Sequence, residues 1–162
     1  MPERYRKLVI HTLTGDFRSS TGVVEEAWRD PGPGEVAIRN HYAGCNAIFD
    51  KNLCRNTIRY VDVKPPFDMG IESVGEVVAV GAGVEGLRVG DAVATSRLGS
   101  GYREYQVAPA ARALRVAAPT PEILALIPSG ISALVGLEKR IVACYTGHSG
   151  TVRTQTTGCI TT

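Results

Sequence analysis

The 162-residue sequence is short of several things at once, and each shortage closes off a class of function. Aromatic residues make up only 6%, with a single tryptophan, and histidine occurs three times. No apolar run approaches the roughly 18 residues that a transmembrane helix needs, so no membrane span is expected. The apolar stretch after Met1–Lys7 is too short for a secretory signal. Charge of one sign is lacking as well: 18 basic and 16 acidic side chains are spread along the chain for a net +2. That balance leaves no electrostatic footprint for nucleic acid. The four cysteines, Cys45, Cys54, Cys144 and Cys159, form no CxxC pair and show no metal-like spacing with His11, His41 or His148. Two disulfides are arithmetically open, but reduced thiols in the cytoplasm are the favoured reading.

What is present is a globular composition, 44% hydrophobic and 21% charged, with 18 glycines. The length allows one domain, or one domain and part of another. Lys7–Leu13, Glu35–Tyr42, Glu76–Val80, Leu87–Ala94 and Arg103–Val107 read as strands rich in branched residues, and Asp30-Pro31-Gly32-Pro33-Gly34 is a strong turn signal. Pro65-Pro66 should hold the stretch from Asp62 to Met69 extended. About seven short strands separated by glycine turns predict a mainly β fold, a barrel or a sandwich. From Pro121 the pattern becomes helical through Glu138, and Pro128 is expected to split that segment into two pieces. Residues 145–162 hold seven threonines and three glycines with neither a period of 2 nor of 3.6, which reads as a poorly ordered tail.

Gly81-Ala82-Gly83-Val84-Glu85-Gly86 matches the GxGxxG pattern of dinucleotide-binding loops. The pattern needs a helix behind it, so that the pyrophosphate meets a helix N-terminus. Here Leu87–Val93 comes next, strand-like and broken by Gly90-Asp91, so a glycine-rich turn between two strands is expected instead.

The ordered series of motifs resembles the N-terminal, GroES-like domain of the medium-chain dehydrogenase/reductase superfamily. Its members are Pro33-Gly34-Glu35-Val36, Tyr42-Ala43-Gly44-Cys45-Asn46 and the run from Pro66 to Val77. Val80-Gly81, Val89–Val93, Tyr102–Tyr105 and Ser129–Ala133 complete it. The resemblance spans about residues 7–138 and implies a partly open β-barrel with short helices, followed by one C-terminal helical segment. Zinc-dependent members carry a cysteine two residues after the first glycine and a Gly-His-Glu at the second motif. Those positions hold Asn46 and Gly70-Ile71-Glu72 here, and a catalytic zinc needs three protein donors, which isoleucine cannot supply. The resemblance is therefore to the zinc-free quinone and enone reductases, and no metal is expected. Cys45 stands one place off the ligand position and reads as a buried structural cysteine.

In that branch an asparagine amide lies beside the nicotinamide, and Asn46 inherits the role by position, catalytic and cofactor-contacting. The competing reading has Asn46 bonding its own loop backbone. Tyr60 falls where relatives present an aromatic hydroxyl to substrate, a packed tyrosine being the alternative. Ser132 replaces a threonine that contacts the cofactor in relatives. Asp50 departs from the pattern, with three residues rather than two separating it from Asn46, and a loop or helix-cap role is open to it. Glu72 reads as a structural hydrogen-bonding group.

The resemblance implies an NADPH- or NADH-dependent parent acting on a small carbonyl or quinone substrate. The expected organisation is a catalytic domain over residues 1–120, a helical segment over 121–140 that would lead into a Rossmann cofactor domain, and an atypical, disordered tail over 141–162. Only 24 residues follow Glu138, too few for the repeated βαβ units of such a domain. The chain is thus expected to be inactive alone. Two other readings stand beside it: a non-catalytic module that self-associates or binds partners through the segment at 121–138, and an unstable truncated product.

Overall fold

The computed structural model describes residues 1–138, 142–144 and 153–155. The chain divides into two compact units, Met1–Ala125 and Leu126–Thr162.

In the first unit, strands β1 (Arg4–Ile10) and β2 (Thr21–Ala27) pair antiparallel, and the two-residue β4 (Phe67–Asp68) adds to the other edge of β1. A one-turn helix, α1 (Phe17–Ser20), connects β1 to β2 and is capped by the Asp16 side chain, which accepts from the Ser19 N–H at 2.9 Å. A second sheet runs β7-β3-β5-β6-β8, all antiparallel. Its strands are β3 (Glu35–Ala43), β5 (Glu72–Val80), β6 (Ala92–Ser96), β7 (Tyr105–Pro109) and β8 (Ala113–Arg115). The edge strands β7 and β8 do not meet, so the barrel is partly open, the mainly β architecture that the motif order implies.

Irregularities between Ala37 and Ile38 and between Asn40 and Tyr42 bend β3 against β5. Gly75 lies opposite the second, and the reason is steric: a methyl group there would overlap the Arg39 carbonyl and come within 3.0 Å of Asn40 Cα. The bend also turns Asn40 inward. The Gln106 amide nitrogen donates to Asn40 Oδ1 (2.8 Å), Ser73 Oγ (2.9 Å) and Thr95 Oγ1 (3.0 Å), while Asn40 Nδ2 donates to the Ser100 and Arg103 carbonyls, both at 2.9 Å. One buried polar net thus ties four strands of the sheet to the segment before β7. Such a net holds a unique register because a slipped strand would leave its members unpaired.

Ion pairs bridge the two sheets. Lys7 of β1 and Arg103 both reach Glu26 of β2 and Asp68 of β4, at 2.8–2.9 Å. Backbone bonds do the same: Leu8 N–H donates to the Tyr102 carbonyl and Glu104 N–H to the Arg6 carbonyl. The apolar core has two parts. Val36, Ile38, Val77 and Val93 fill the five-stranded sheet. Ile10, Leu53, Cys54, Val63 and Met69 form the other, which seats a helix, α2 (Ala47–Cys54), with Phe49 and Tyr102 packed at its margin.

Strands β1, β3, β5 and β7 begin and end within a few residues of the sequence expectations; Leu87–Asp91 is a turn with β6 beginning only at Ala92, and β2, β4 and β8 are not among the expected strands. Gly81–Gly86 is the glycine turn expected between β5 and β6, with φ of +73° at Gly83 and +80° at Gly86. Pro128 does not divide the last helix: α3 runs unbroken over Pro121–Glu138. A proline removes one N–H from the ladder, and here the loss does not end the helix.

In the second unit, β9 (Val142–Cys144) and β10 (Arg153–Gln155) pair antiparallel, with Ala143 opposite Thr154. These six residues fall within the stretch expected to be disordered. The rest of that stretch, with the expectation made for it, lies outside the described residues.

Candidate functional site

The site is organised by α2. Its N-cap is Asn46, whose side-chain Oδ1 accepts from the Phe49 N–H at 3.2 Å, satisfying one of the free donors of the first turn. Asp50, Leu53 and Cys54 fall at the i, i+3, i+4 spacing of one helix face and are buried. The two remaining flanks each wall a cleft. On one side Ala47 and Lys51 face a cavity of about 550 Å³, shared with Cys45, Arg55 and the Gly15–Phe17 turn. On the other, Asn46, Ile48, Phe49 and Asn52 face a cavity of about 510 Å³, closed by Thr57, Ile58, Arg59 and Tyr60.

Asn46 and Tyr60 both line the second cleft. The backbone-bonding reading of Asn46 is also met, since the oxygen caps α2. The two roles use different atoms. The amide nitrogen has no hydrogen-bond partner among the described residues. Tyr60 is 82% exposed rather than packed. Ser132 lies on α3 in the second unit, where its hydroxyl donates to the Pro128 carbonyl at 2.7 Å.

Beneath α2 lies a group to which the sequence assigned no common role. The Tyr102 hydroxyl donates to Asp50 Oδ2 at 2.5 Å. Burial raises the Asp50 carboxyl above its ordinary range, and the Tyr102 hydrogen bond works against that shift. Burial, and then the hydrogen bond to Asp50, hold the Tyr102 phenol far above its usual value. Glu72 is buried too, its carboxyl raised by burial and then by the Asp50 charge. Oδ1 of Asp50 and Oε2 of Glu72 have no hydrogen-bond partner. Asp50 is thus a first-turn residue of α2, its carboxyl held by Tyr102 and by the Asn46 backbone, which is compatible with the helix-cap reading and not with the loop one, and Glu72 makes no side-chain hydrogen bond among the described residues. Gly44 leaves room for Glu72: a methyl at residue 44 would overlap its carboxylate and stand 2.6 Å from Cγ. Cys54 is buried, with its thiol raised by burial, whereas Cys45 is an exposed free thiol.

The positions that carry ligands in the zinc branch hold Asn46, whose oxygen caps a helix, and Ile71, which has no donor atom. Among the described residues, no group of three or more His, Cys, Asp or Glu is close enough to hold an ion. No helix among them is long and apolar enough to cross a membrane.

A partly open, mainly β barrel with short helices is the architecture of the GroES-like domain of the medium-chain dehydrogenase/reductase superfamily. Residues 32–118 match the alcohol dehydrogenase GroES-like domain, and the chain belongs to that family. It is 40% identical to a probable quinone oxidoreductase of Leishmania amazonensis over 92% of this chain and 45% of that protein. It is 37% identical to prostaglandin reductase-3 of Bos taurus over 86% of this chain and 37% of that protein. Among solved structures it resembles a quinone oxidoreductase of Pseudomonas syringae, with 28% identity and a TM-score of 0.71 over 84% of this chain and 41% of that one. The chain thus spans less than half the length of these relatives.

Proposed function

We propose that this chain supplies the substrate-binding half of a zinc-independent, NADPH- or NADH-dependent oxidoreductase of the cytoplasm that reduces quinones, enones or related small carbonyl compounds. Residues 1–120 form the catalytic domain in this reading, and residues 121–140 lead toward a cofactor-binding domain. The observation that carries it is the division of labour within Asn46. Its oxygen is occupied by capping α2, which fixes the amide, and its nitrogen is left unpaired in the cleft that also holds Tyr60.

The described residues carry no phosphate-binding loop for a dinucleotide. Their one GxGxxG is a turn between β5 and β6 with no helix behind it, so it offers no dipole to a pyrophosphate. What these residues do is bind and polarise. An amide N–H fixed in advance stabilises a carbonyl oxygen that gains negative charge, with no reorganisation at the moment of reaction. The Tyr60 hydroxyl is a second donor on the same cleft, and Ile48, Phe49 and Ile58 give it apolar walls. Ser132 is proposed to meet the cofactor.

A neutral saturated ketone, 4-phenylbutan-2-one, titrated into the isotope-labelled chain tests this reading. The expected result is amide shifts in nuclear magnetic resonance spectra confined to the neighbourhood of Asn46, Phe49 and Tyr60, and weaker binding by Tyr60→Phe at an unchanged melting temperature. Shifts at the Cys45–Lys51 cleft instead, or none anywhere, would overturn it.

A further inference from the structure

We infer that the cleft between α2 and Tyr60 selects ketone substrates carrying an anionic group, with Arg59 as the residue that recognises the anion. The inference rests on the reading of this cleft as the substrate site and adds the substrate's charge to it. Arg59 is the one charged side chain on the cleft wall, and no carboxylate shares the wall with it. Six other arginines of the first unit hold carboxylates, Arg4 with Glu25, Arg6 with Glu104, Arg29 with Glu35, Arg88 and Arg115 with Asp91, and Arg103 with Glu26 and Asp68, whereas Arg18, Arg39, Arg55, Arg97 and Arg112, like Arg59, hold none among the described residues; of these unpaired arginines Arg59 alone lines this cleft. Arg59 makes no ion pair among the described residues, although its planar fork of donors suits a carboxylate.

The surroundings say what else the ligand must be. Ile48 is 78% exposed on the cleft, and Tyr60, next in sequence to Arg59, is 82% exposed. An apolar body covering these side chains removes them from water, while the Asn46 amide and the Tyr60 hydroxyl serve a carbonyl. The cleft lacks any acceptor-only group that would need a cationic ligand. An amphipathic keto acid, apolar in the middle and charged at one end, satisfies every wall at once. A neutral ketone leaves the guanidinium unused.

The test compares 4-oxo-4-phenylbutanoate with its methyl ester, titrated into the full chain at low ionic strength. The two probes share ring and ketone and differ at the carboxyl end, a carboxylate in one and a neutral methyl ester in the other. The acid is expected to bind about fivefold more tightly, the upper range for an exposed ion pair. Arg59→Gln should abolish that preference while leaving ester affinity unchanged, and Arg59→Lys should keep most of it. High salt should erase it in the wild type. Equal affinity for acid and ester in the wild type, or a preference that survives Arg59→Gln, overturns the assignment of Arg59. If the ester still shifts the Asn46 and Tyr60 signals, only the anion inference falls. If neither probe binds this cleft, the substrate reading falls and takes the inference with it.

Discussion

Replacing Asn46 by aspartate separates the two roles assigned to this residue. Aspartate has the same shape and is an equally good N-cap, so the bond from the Phe49 N–H, 3.2 Å in the native protein, survives the change. Its charge also suits the positive end of α2. What disappears is the amide donor, and a carboxylate takes its place facing the ligand. Asn46→Ala, in contrast, removes cap and donor together. The loss of an N-cap costs about 1 kcal/mol, which for a folded unit of this size lowers the melting temperature by about 3–5 °C. Asn46→Ala is therefore expected to melt lower by that amount, and Asn46→Asp to melt with the wild type. Ligand affinity should show a different order. A neutral hydrogen bond contributes about 1 kcal/mol, or about fivefold, and repulsion between carboxylate and ketone oxygen takes the Asn46→Asp loss to about tenfold or more. In turnover, where the oxygen gains charge, losing one such donor costs about 10²–10³-fold. Circular dichroism melts and titration with 4-phenylbutan-2-one on the three proteins decide it. If Asn46→Asp melts as low as Asn46→Ala, the cap is not what Asn46 contributes to stability. If Asn46→Asp binds the ketone as the wild type does, the amide does not face the substrate.

Two further substitutions probe the support beneath the site. Gly44→Ala drives a methyl group into the buried Glu72 side chain, 2.6 Å from Cγ, and is expected to cost about 1–3 kcal/mol in denaturant unfolding while moving Cys45 and Asn46; a neutral effect would mean that Glu72 moves freely. Glu72→Gln tests the cost of a buried, unpartnered carboxylate. Burial, helped by the Asp50 charge, places the folded-state pKa of Glu72 above the ordinary range, so the folded protein holds this proton more tightly than the unfolded chain does. The stability this gives is complete below about pH 4 and is lost as pH rises through the folded-state value. Glu72→Gln should therefore be more stable than the wild type by about 1 kcal/mol at pH 8 and indistinguishable from it at pH 4. A glutamine protein that is less stable at pH 8 would refute the assignment.

Strands β3 and β5 are legible because each is a branched, apolar run next to glycine, whereas β8, three residues long, carries no such signal. The GxGxxG at 81–86 reads as a turn because Leu87–Val93 behind it lacks helical periodicity. The helix that builds the site is far less legible. Its signal is present in Asn46 as a capping residue, with Phe49, Leu53 and Cys54 at helical spacing behind it. Eight residues whose five apolar positions include Ala47 and Ile48 off that face give a weak period, and the stretch stands out as a motif rather than as an element. Tyr60 is legible as a site position but not as an exposed one, since exposure depends on how the loop leaves α2. Arg59 carries no motif at all. Only the folded loop shows that it shares a wall with Ile48 and faces no acid. Tyr102 belongs to a recognised motif, yet its partner Asp50 is 52 residues away in sequence, and that pairing exists only in three dimensions.

The extra residue between Asn46 and Asp50 explains why Asp50 left its expected place. With two residues intervening, an aspartate would sit at the third position of the helix, where a side chain reaches back to the cap. With three intervening, it sits one full turn beyond Asn46, and its N–H donates to the Asn46 carbonyl at 2.9 Å as an ordinary helical bond. One added residue rotates the side chain by about 100° around the axis. That rotation carries the carboxylate from the rim of the helix to its buried face, where Tyr102 meets it. The same bond ties α2 to the segment that connects the two sheets. The helix is thereby held at both ends of its first turn, above by the Asn46 cap and below by Tyr102. A departure from the family pattern thus does not remove the aspartate from the site. It sets the aspartate beneath α2 at the edge of the first cleft, while Asn46, Tyr60 and Arg59 line the second.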